Sequence, residues 1–341
     1  MDNSRDLRID CAKTVAIILV VVGHSVQYVF ARDSFDDNLL FRYIYSFHMP
    51  LFMFISGYLS FNKNINYIWL KNRFISLVIP FLSWIILGYY ISGSYKQITL
   101  FQKIKDILLT PDNGGMWFLW VLFLNCFIFF LSNNLYNKIR NTFEIKTEVF
   151  LKIIIFLFAT VAIRKIASRF WYFGINSCSW YIVFYFAGHL VGTFKPLAKK
   201  YWTNKLGITT FIGFFILTFF WRRTENPIFL NAINEIFPHI VTRCILKIYT
   251  YIVPFLGIAC IFCIINKIAV FNLYFLSYIG RHTIEIYVLQ WYFIRTYTGI
   301  IVVDTLLSII LAIIIPLIIA KVVERYPKIN LVLFGKRRTC V

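Results

Sequence analysis

The chain has 341 residues, of which 60% are apolar, 20% aromatic and 15% charged, with a mean hydropathy of +0.71. These values exclude an ordinary soluble domain and define a polytopic membrane protein. The formal net charge of +20 would suit nucleic acid, but no arginine-rich arm or soluble basic domain holds it, so nucleic acid is not an expected partner.

Apolar stretches of about 15 to 23 residues recur along the chain, most of them long enough for a hydrocarbon core of roughly 30 Å. They predict an all-α bundle of about ten transmembrane helices, at 11–30, 40–61, 73–92, 115–133, 149–166, 180–194, 206–221, 245–265, 272–294 and 300–321. With no internal repeat, Pro- or Ser-rich linker or shift to soluble composition, residues 1–341 read as one membrane domain without an appended soluble domain. Arg5, Arg8, Lys146, Lys199, Lys200 and Lys336 gather on one side, and this bias predicts both termini in the cytoplasm. The N-terminus has no signal-peptide pattern, and Arg5, Arg8 and Lys13 fit an uncleaved anchor.

The first segment carries Asp10, Lys13 and His24 through a run that is otherwise largely Val, Ile and Leu. On a helix the step from Lys13 to His24 comes within roughly 20° of three full turns, so both side chains share a face about 16 Å apart in height. Asp10 lies one turn before Lys13 on nearly the same face. Such groups are costly in hydrocarbon and mark a pathway or an active centre. The second segment adds His48 at a comparable depth, followed by Pro50, which should bend the helix, and by Ser56-Gly57, which removes bulk where another helix or a ligand could approach. Tyr58 closes that segment.

Lys71 and Arg73 open the third segment, and Pro80 lies within it; Trp117 stands near the start of the fourth. The loops 93–114 and 222–244 are amphipathic or polar enough to lie on the surface. Segment nine bears Arg281, His282 and Glu285 in its inner half. Lys13, Lys71, Arg73 and Arg281 would form a cationic inner mouth suited to a phosphate-bearing ligand, although Lys71 or Arg281 alone also fits an ordinary positive-inside residue. The seven cysteines give no disulfide framework. Cys260 and Cys263 lack a second pair or metal-ligand histidines, and no metal is expected.

Transfer of an acyl group to a hydroxyl needs a base for the hydroxyl proton and groups that stabilise the developing oxyanion. His24 is the strongest candidate for the base. A structural histidine bonded to a neighbouring helix is the competing reading, weakened by finding His24, His48 and a charged stripe together in the first two segments.

The sequence resembles the integral-membrane acyltransferase-3 family, and most of all its fucose 4-O-acetylase-related branch. The resemblance rests on Ile9-Asp10-Cys11-Ala12-Lys13 leading to Gly23-His24-Ser25, and on Phe47-His48-Met49-Pro50 leading to Ser56-Gly57-Tyr58-Leu59. It continues through Lys71-Asn72-Arg73, through Gly115-Met116-Trp117-Phe118, and through Ser277-Tyr278-Ile279-Gly280-Arg281-His282-Thr283-Ile284-Glu285. Lys13 replaces the commoner arginine, and Gln290 stands where many relatives have histidine. The resemblance implies acetyl-CoA as acyl donor, a glycan or lipid-linked glycan hydroxyl as acceptor, and the bacterial inner membrane as location. It implies His24, Lys13, Asp10 and His48 as catalytic, Arg73, Lys71 and Arg281 as binding the coenzyme phosphates, and Trp117, Tyr58 and Glu285 as binding the acceptor. Direct transfer and an acylated Ser25, Ser56 or Tyr58 both remain open. A polysaccharide flippase would spread charges over more helices and often over repeated halves; a glycan polymerase should carry a large arginine-containing outer loop, for which Arg222-Arg223 leaves some room. Consumption of acetyl-CoA separates the first reading from these two.

Overall fold

The computed structural model describes residues 6–61, 63–111, 115–143, 148–194, 204–268 and 274–337; Arg5, Lys146, Lys199 and Lys200 lie outside them. Every regular element among the described residues is helical. In chain order these are α1 (Leu7–Ser25, prolonged by a π turn over Val26–Phe30), α2 (Leu39–Tyr45), α3 (His48–Tyr58), α4 (Tyr67–Ile91), α5 (Leu100–Leu109), α6 (Trp117–Phe143), α7 (Glu148–Ala167) and α8 (Ile175–Thr193). There follow α9 (Asn204–Phe219), α10 (Leu230–Ile236), α11 (His239–Ile268), α12 (Tyr274–Arg281), α13 (Thr283–Leu289), α14 (Ile301–Val323) and α15 (Pro327–Phe334). Helix occupies each of the ten apolar segments. Among the described residues six spans are long and apolar enough to cross a bilayer: Leu7–Phe30, Leu39–Tyr58, Tyr67–Ile91, Trp117–Arg140, His239–Asn266 and Ile301–Val323.

Two segments that read as continuous helices are broken. The second breaks at Ser46–Phe47, four residues ahead of Pro50. Proline lacks the N–H that would bond the Ser46 carbonyl, and its ring clashes with that carbonyl, so the helix stops upstream and restarts at His48 with Pro50 in its first turn. The ninth, expected as one helix over 272–294, is two short helices parted at His282, whose φ of −108° and ψ of 27° are not helical. Glu285, in the first turn of the new helix, reaches back to the His282 ring, with Oε1 3.1 Å from Nδ1, so a break without proline is held by a buried polar pair.

The chain packs as two compact units. The first comprises residues 1–55 and 194–320. In it α1 buries Ile9, Ala12, Ala16, Ile17, Val20 and Val21 and packs most closely on α12, where Gly280 presses against the backbone carbonyl of Asp10. Asp6 starts α1 by accepting the Arg8 N–H at 3.1 Å. Within α11, Gly257 makes room for the Phe47 ring.

The second unit comprises residues 56–193 and 321–341. The close approach read at Ser56-Gly57 is present, with Gly57 against the backbone of Tyr185 on α8. Beneath it Ser60 Oγ lies 2.9 Å from His189 Nδ1. Helix α15 docks on α4: Trp84 Nε1–H donates to the Leu333 carbonyl at 2.8 Å, and Gly335, at φ +66°, lies against the Ser76 backbone. Helix α5, in the loop expected at the surface, buries none of its residues. Among the described residues Cys178 and Cys244 are not joined by a disulfide.

Candidate active site

The first unit holds two polar centres at opposite ends of α1. At one end the buried Asp10 carboxylate pairs with Lys13 Nζ at 3.2 Å and accepts the Ser277 hydroxyl, also at 3.2 Å. Thr14 donates its hydroxyl towards the Leu276 and Asp10 carbonyls. The charged stripe is thereby anchored to α12, which is why Asp10 can be buried at all: one ion pair and one hydroxyl replace its water. Arg281 ends α12, exposed, with its guanidinium 5.6 Å from the Tyr278 ring. Glu285 is wholly buried beside His282.

At the other end His24 sits in an aromatic cage, its ring 4.3 Å from Trp291, 6.1 Å from Tyr28 and 6.2 Å from Tyr45. Gly23 lets the Tyr45 ring approach α1. His48 touches the same Tyr45 ring at 4.7 Å, so the two histidines, of comparable depth in the first two segments, flank one tyrosine.

The tautomers follow from acceptors. Gln290 directs its amide N–H to the Tyr287 carbonyl at 3.1 Å, which turns Oε1 to His24 Nδ1 at 3.2 Å. An amide oxygen only accepts, so Nδ1 carries the hydrogen and, in the neutral ring, Nε2 holds the lone pair. His48 is set the same way, with Nδ1–H donating to the Ile44 carbonyl at 2.9 Å. Each imidazole therefore presents a basic Nε2.

Gln290 was legible only as a departure from relatives that carry histidine, and its role as the acceptor that orients His24 is a gain from the structure. If His24 acts as a base, removing that acceptor in Gln290→Leu lowers kcat by roughly 10- to 100-fold, the usual cost of losing a group that orients a functional imidazole. Gln290→Glu keeps an acceptor and should restore most of the rate. Steady-state kinetics of the two variants check this; equal losses in both would remove the orienting role.

Beside the cage a polar clasp joins the loops after α1 and α9. Buried Asp36 accepts the backbone N–H of Arg223 and of Thr224, both at 2.8 Å, together with the Thr224 hydroxyl. Burial alone would raise its pKa, but these hydrogen bonds outweigh it and hold the carboxyl below its ordinary value. A depressed carboxyl contributes stability that is complete above about pH 4, the unfolded value, and is lost as pH falls through the lower folded value. Asp36→Asn should therefore melt below wild type at neutral pH, and the gap should narrow under acid; melting curves in detergent at pH 7 and in a series below 4 test this, and a gap constant with pH would refute it.

The remaining expected site residues lie in the second unit. Arg73, on the first turns of α4, stands 5.4 Å over the Trp69 ring, and Lys71 is exposed beside it. Trp117 opens α6 and stacks on Tyr181 at 5.4 Å; Tyr58 is buried with its ring 5.5 Å from Phe61.

A helical chain with several spans long and apolar enough to cross a bilayer belongs to the class of polytopic membrane proteins. The acyltransferase-3 family, described as an acyltransferase domain, matches residues 6–325, and the chain belongs to that family. It is 37% identical over 133 residues to nodulation protein NolL of Mesorhizobium japonicum, covering 36% of this chain and 35% of that protein. It is 35% identical over 146 residues to nodulation protein NolL of Sinorhizobium fredii, covering 40% and 39%. The matched region thus spans less than half of either relative. No solved structure matches the chain.

Proposed function

We propose that the protein is a membrane O-acetyltransferase that moves acetyl from acetyl-CoA to a hydroxyl of a cell-surface polysaccharide or its lipid-linked precursor. The reading places residues 1–341 as one catalytic domain in the bacterial inner membrane with both termini cytoplasmic. The observation that carries it is the Gln290-oriented His24, whose ring sits among Trp291, Tyr28 and Tyr45 with Nε2 left as the lone-pair nitrogen, together with membership of an acyltransferase family.

His24 Nε2 takes the proton of the acceptor hydroxyl as that oxygen attacks the thioester carbonyl carbon. The C–O bond forms, the C–S bond breaks, and the proton passes from His24 to the departing coenzyme thiolate. His48 polarises the carbonyl or positions the sugar. Lys13 lies about 16 Å lower on α1 at helical rise, comparable to an extended pantetheine arm, and with its partner Asp10 sets the field there, while Arg281 takes a phosphate of the coenzyme. Labelled acetyl-CoA supplied to membranes containing the protein should place alkali-labile label in glycan, and His24→Ala should remove it. Label equal to that of membranes lacking the protein would turn the reading towards a glycan transporter.

A further inference from the structure

Three arginines meet at the clasp and their partners differ. Arg222 pairs with Asp37 at 2.7 Å and with Glu225. Arg42 donates to the Asp36 carbonyl at 2.5 Å, to the Phe219 carbonyl at 3.0 Å and to Asp37 at 3.3 Å. Arg223 gives only its backbone N–H to the Asp36 carboxylate. Its guanidinium lies 4.9 Å over the Tyr45 ring and reaches one neutral acceptor, Gln27 Oε1, at 3.3 Å. Among the described residues no carboxylate forms an ion pair with it.

That placement is built. The buried Asp36 fixes the backbone of Arg223 and Thr224, and the loop acids Asp37 and Glu225 are engaged by Arg222. Gln27, which also accepts the Tyr45 hydroxyl, ties the guanidinium to the ring that flanks both His24 and His48. A guanidinium has five N–H donors in a planar fork suited to two oxygens of one anion, and most of these donors are open. An arginine that served only to hold the loop would sit on the acids beside it, as Arg222 does.

We propose that Arg223 is an anion subsite next to His24, taking a carboxylate or phosphate carried by the acceptor and thereby favouring acidic sugars or glycosyl phosphates over neutral ones. This rests on the acyltransferase reading for the word acceptor, but not for the binding. The two sources of anionic oxygen are a sugar carboxylate, as in a uronic acid, and a phosphate at the anomeric carbon, as in a lipid-linked precursor.

The test is binding of methyl glucuronide, glucose 1-phosphate and methyl glucoside to the purified full-length protein in detergent, read by titration calorimetry, for wild type, Arg223→Gln and Arg223→Lys. Wild type should bind one of the two anionic probes roughly tenfold or more tightly than methyl glucoside, as a charge-assisted contact allows. Which probe wins identifies the source. Arg223→Gln should erase that preference with methyl glucoside unchanged, and Arg223→Lys should keep part of it, having charge without the fork. A wild type that binds all three probes alike, or a preference retained in Arg223→Gln, would overturn the subsite. So would a fall in kcat shared by neutral and anionic acceptors, which would assign Arg223 to the reacting centre. Binding needs no turnover, so an anionic preference with no acetyl transfer to any sugar would sink the acyltransferase reading and leave the subsite standing.

Discussion

His24→Ala is expected to reduce acetyl transfer by at least 10²- to 10⁴-fold, the range that a positioned general base contributes, while leaving the protein in the membrane at its normal level. The two halves of this expectation have different physical origins. The rate falls because the Nε2 lone pair, set by the Gln290 oxygen on Nδ1, disappears, and the His48 ring is already committed in orientation to the Ile44 carbonyl. The fold persists because His24 is only half-buried. Its loss removes ring contacts to Trp291, Tyr28 and Tyr45, the closest of them worth on the order of 1 kcal/mol, and leaves Gln290 with its bond to Tyr287. His48→Ala makes a useful contrast, since His48 is buried and bonded across the break to the Ile44 carbonyl of α2 and its removal combines catalytic and structural loss. Measured as label per unit of protein, near-normal transfer by His24→Ala would end its assignment as the base.

The sequence carried the helical architecture because long apolar stretches report burial in lipid directly. The stripe of Asp10, Lys13 and His24 was legible from helical period alone, and the close approach at Gly57 from the loss of a side chain. Tertiary hydrogen bonds leave no such period. No proline in 272–294 announces a break at His282, and the contact between His282 and Glu285 that holds it leaves no mark on the apolar pattern. Gln290 looks like one more polar residue on an apolar segment until its two partners are known. Arg223 sits in a loop whose two adjacent arginines are indistinguishable in sequence, and only the pairing of Arg222 with Asp37 and Glu225 sets it apart. The stripe also divides into two centres once packed: Asp10 and Lys13 answer to Ser277, and His24 answers to Gln290.

Gly280→Val should destabilise the protein by about 1–3 kcal/mol or more, the cost of forcing bulk into a packed contact, and should abolish activity with it. A Cβ at this position would overlap the backbone carbonyl of Asp10 and approach the Thr14 hydroxyl oxygen to 2.9 Å. A carbonyl inside α1 cannot swing aside as a side-chain tip could, so α12 must move away from α1. That motion lengthens the bond from Ser277 to Asp10, now 3.2 Å, and the bond from Thr14 to the Leu276 carbonyl, leaving a buried carboxylate with Lys13 as its remaining named partner. The chain that leaves α12 also carries Gln290 to His24, so a shift at one end of α1 is transmitted to the imidazole at the other through α13. Gly88→Ala is the control: Gly88 lies inside α4 with nothing near the position of the added methyl, and alanine is the better helix former by up to about 1 kcal/mol, so this variant should melt at or above wild type. Melting of the two variants in detergent, with the yield of monodisperse protein, decides the matter: a Gly280→Val protein as stable as wild type would show that α1 and α12 are not in backbone contact, and the anchoring of Asp10 by α12 would fall with it.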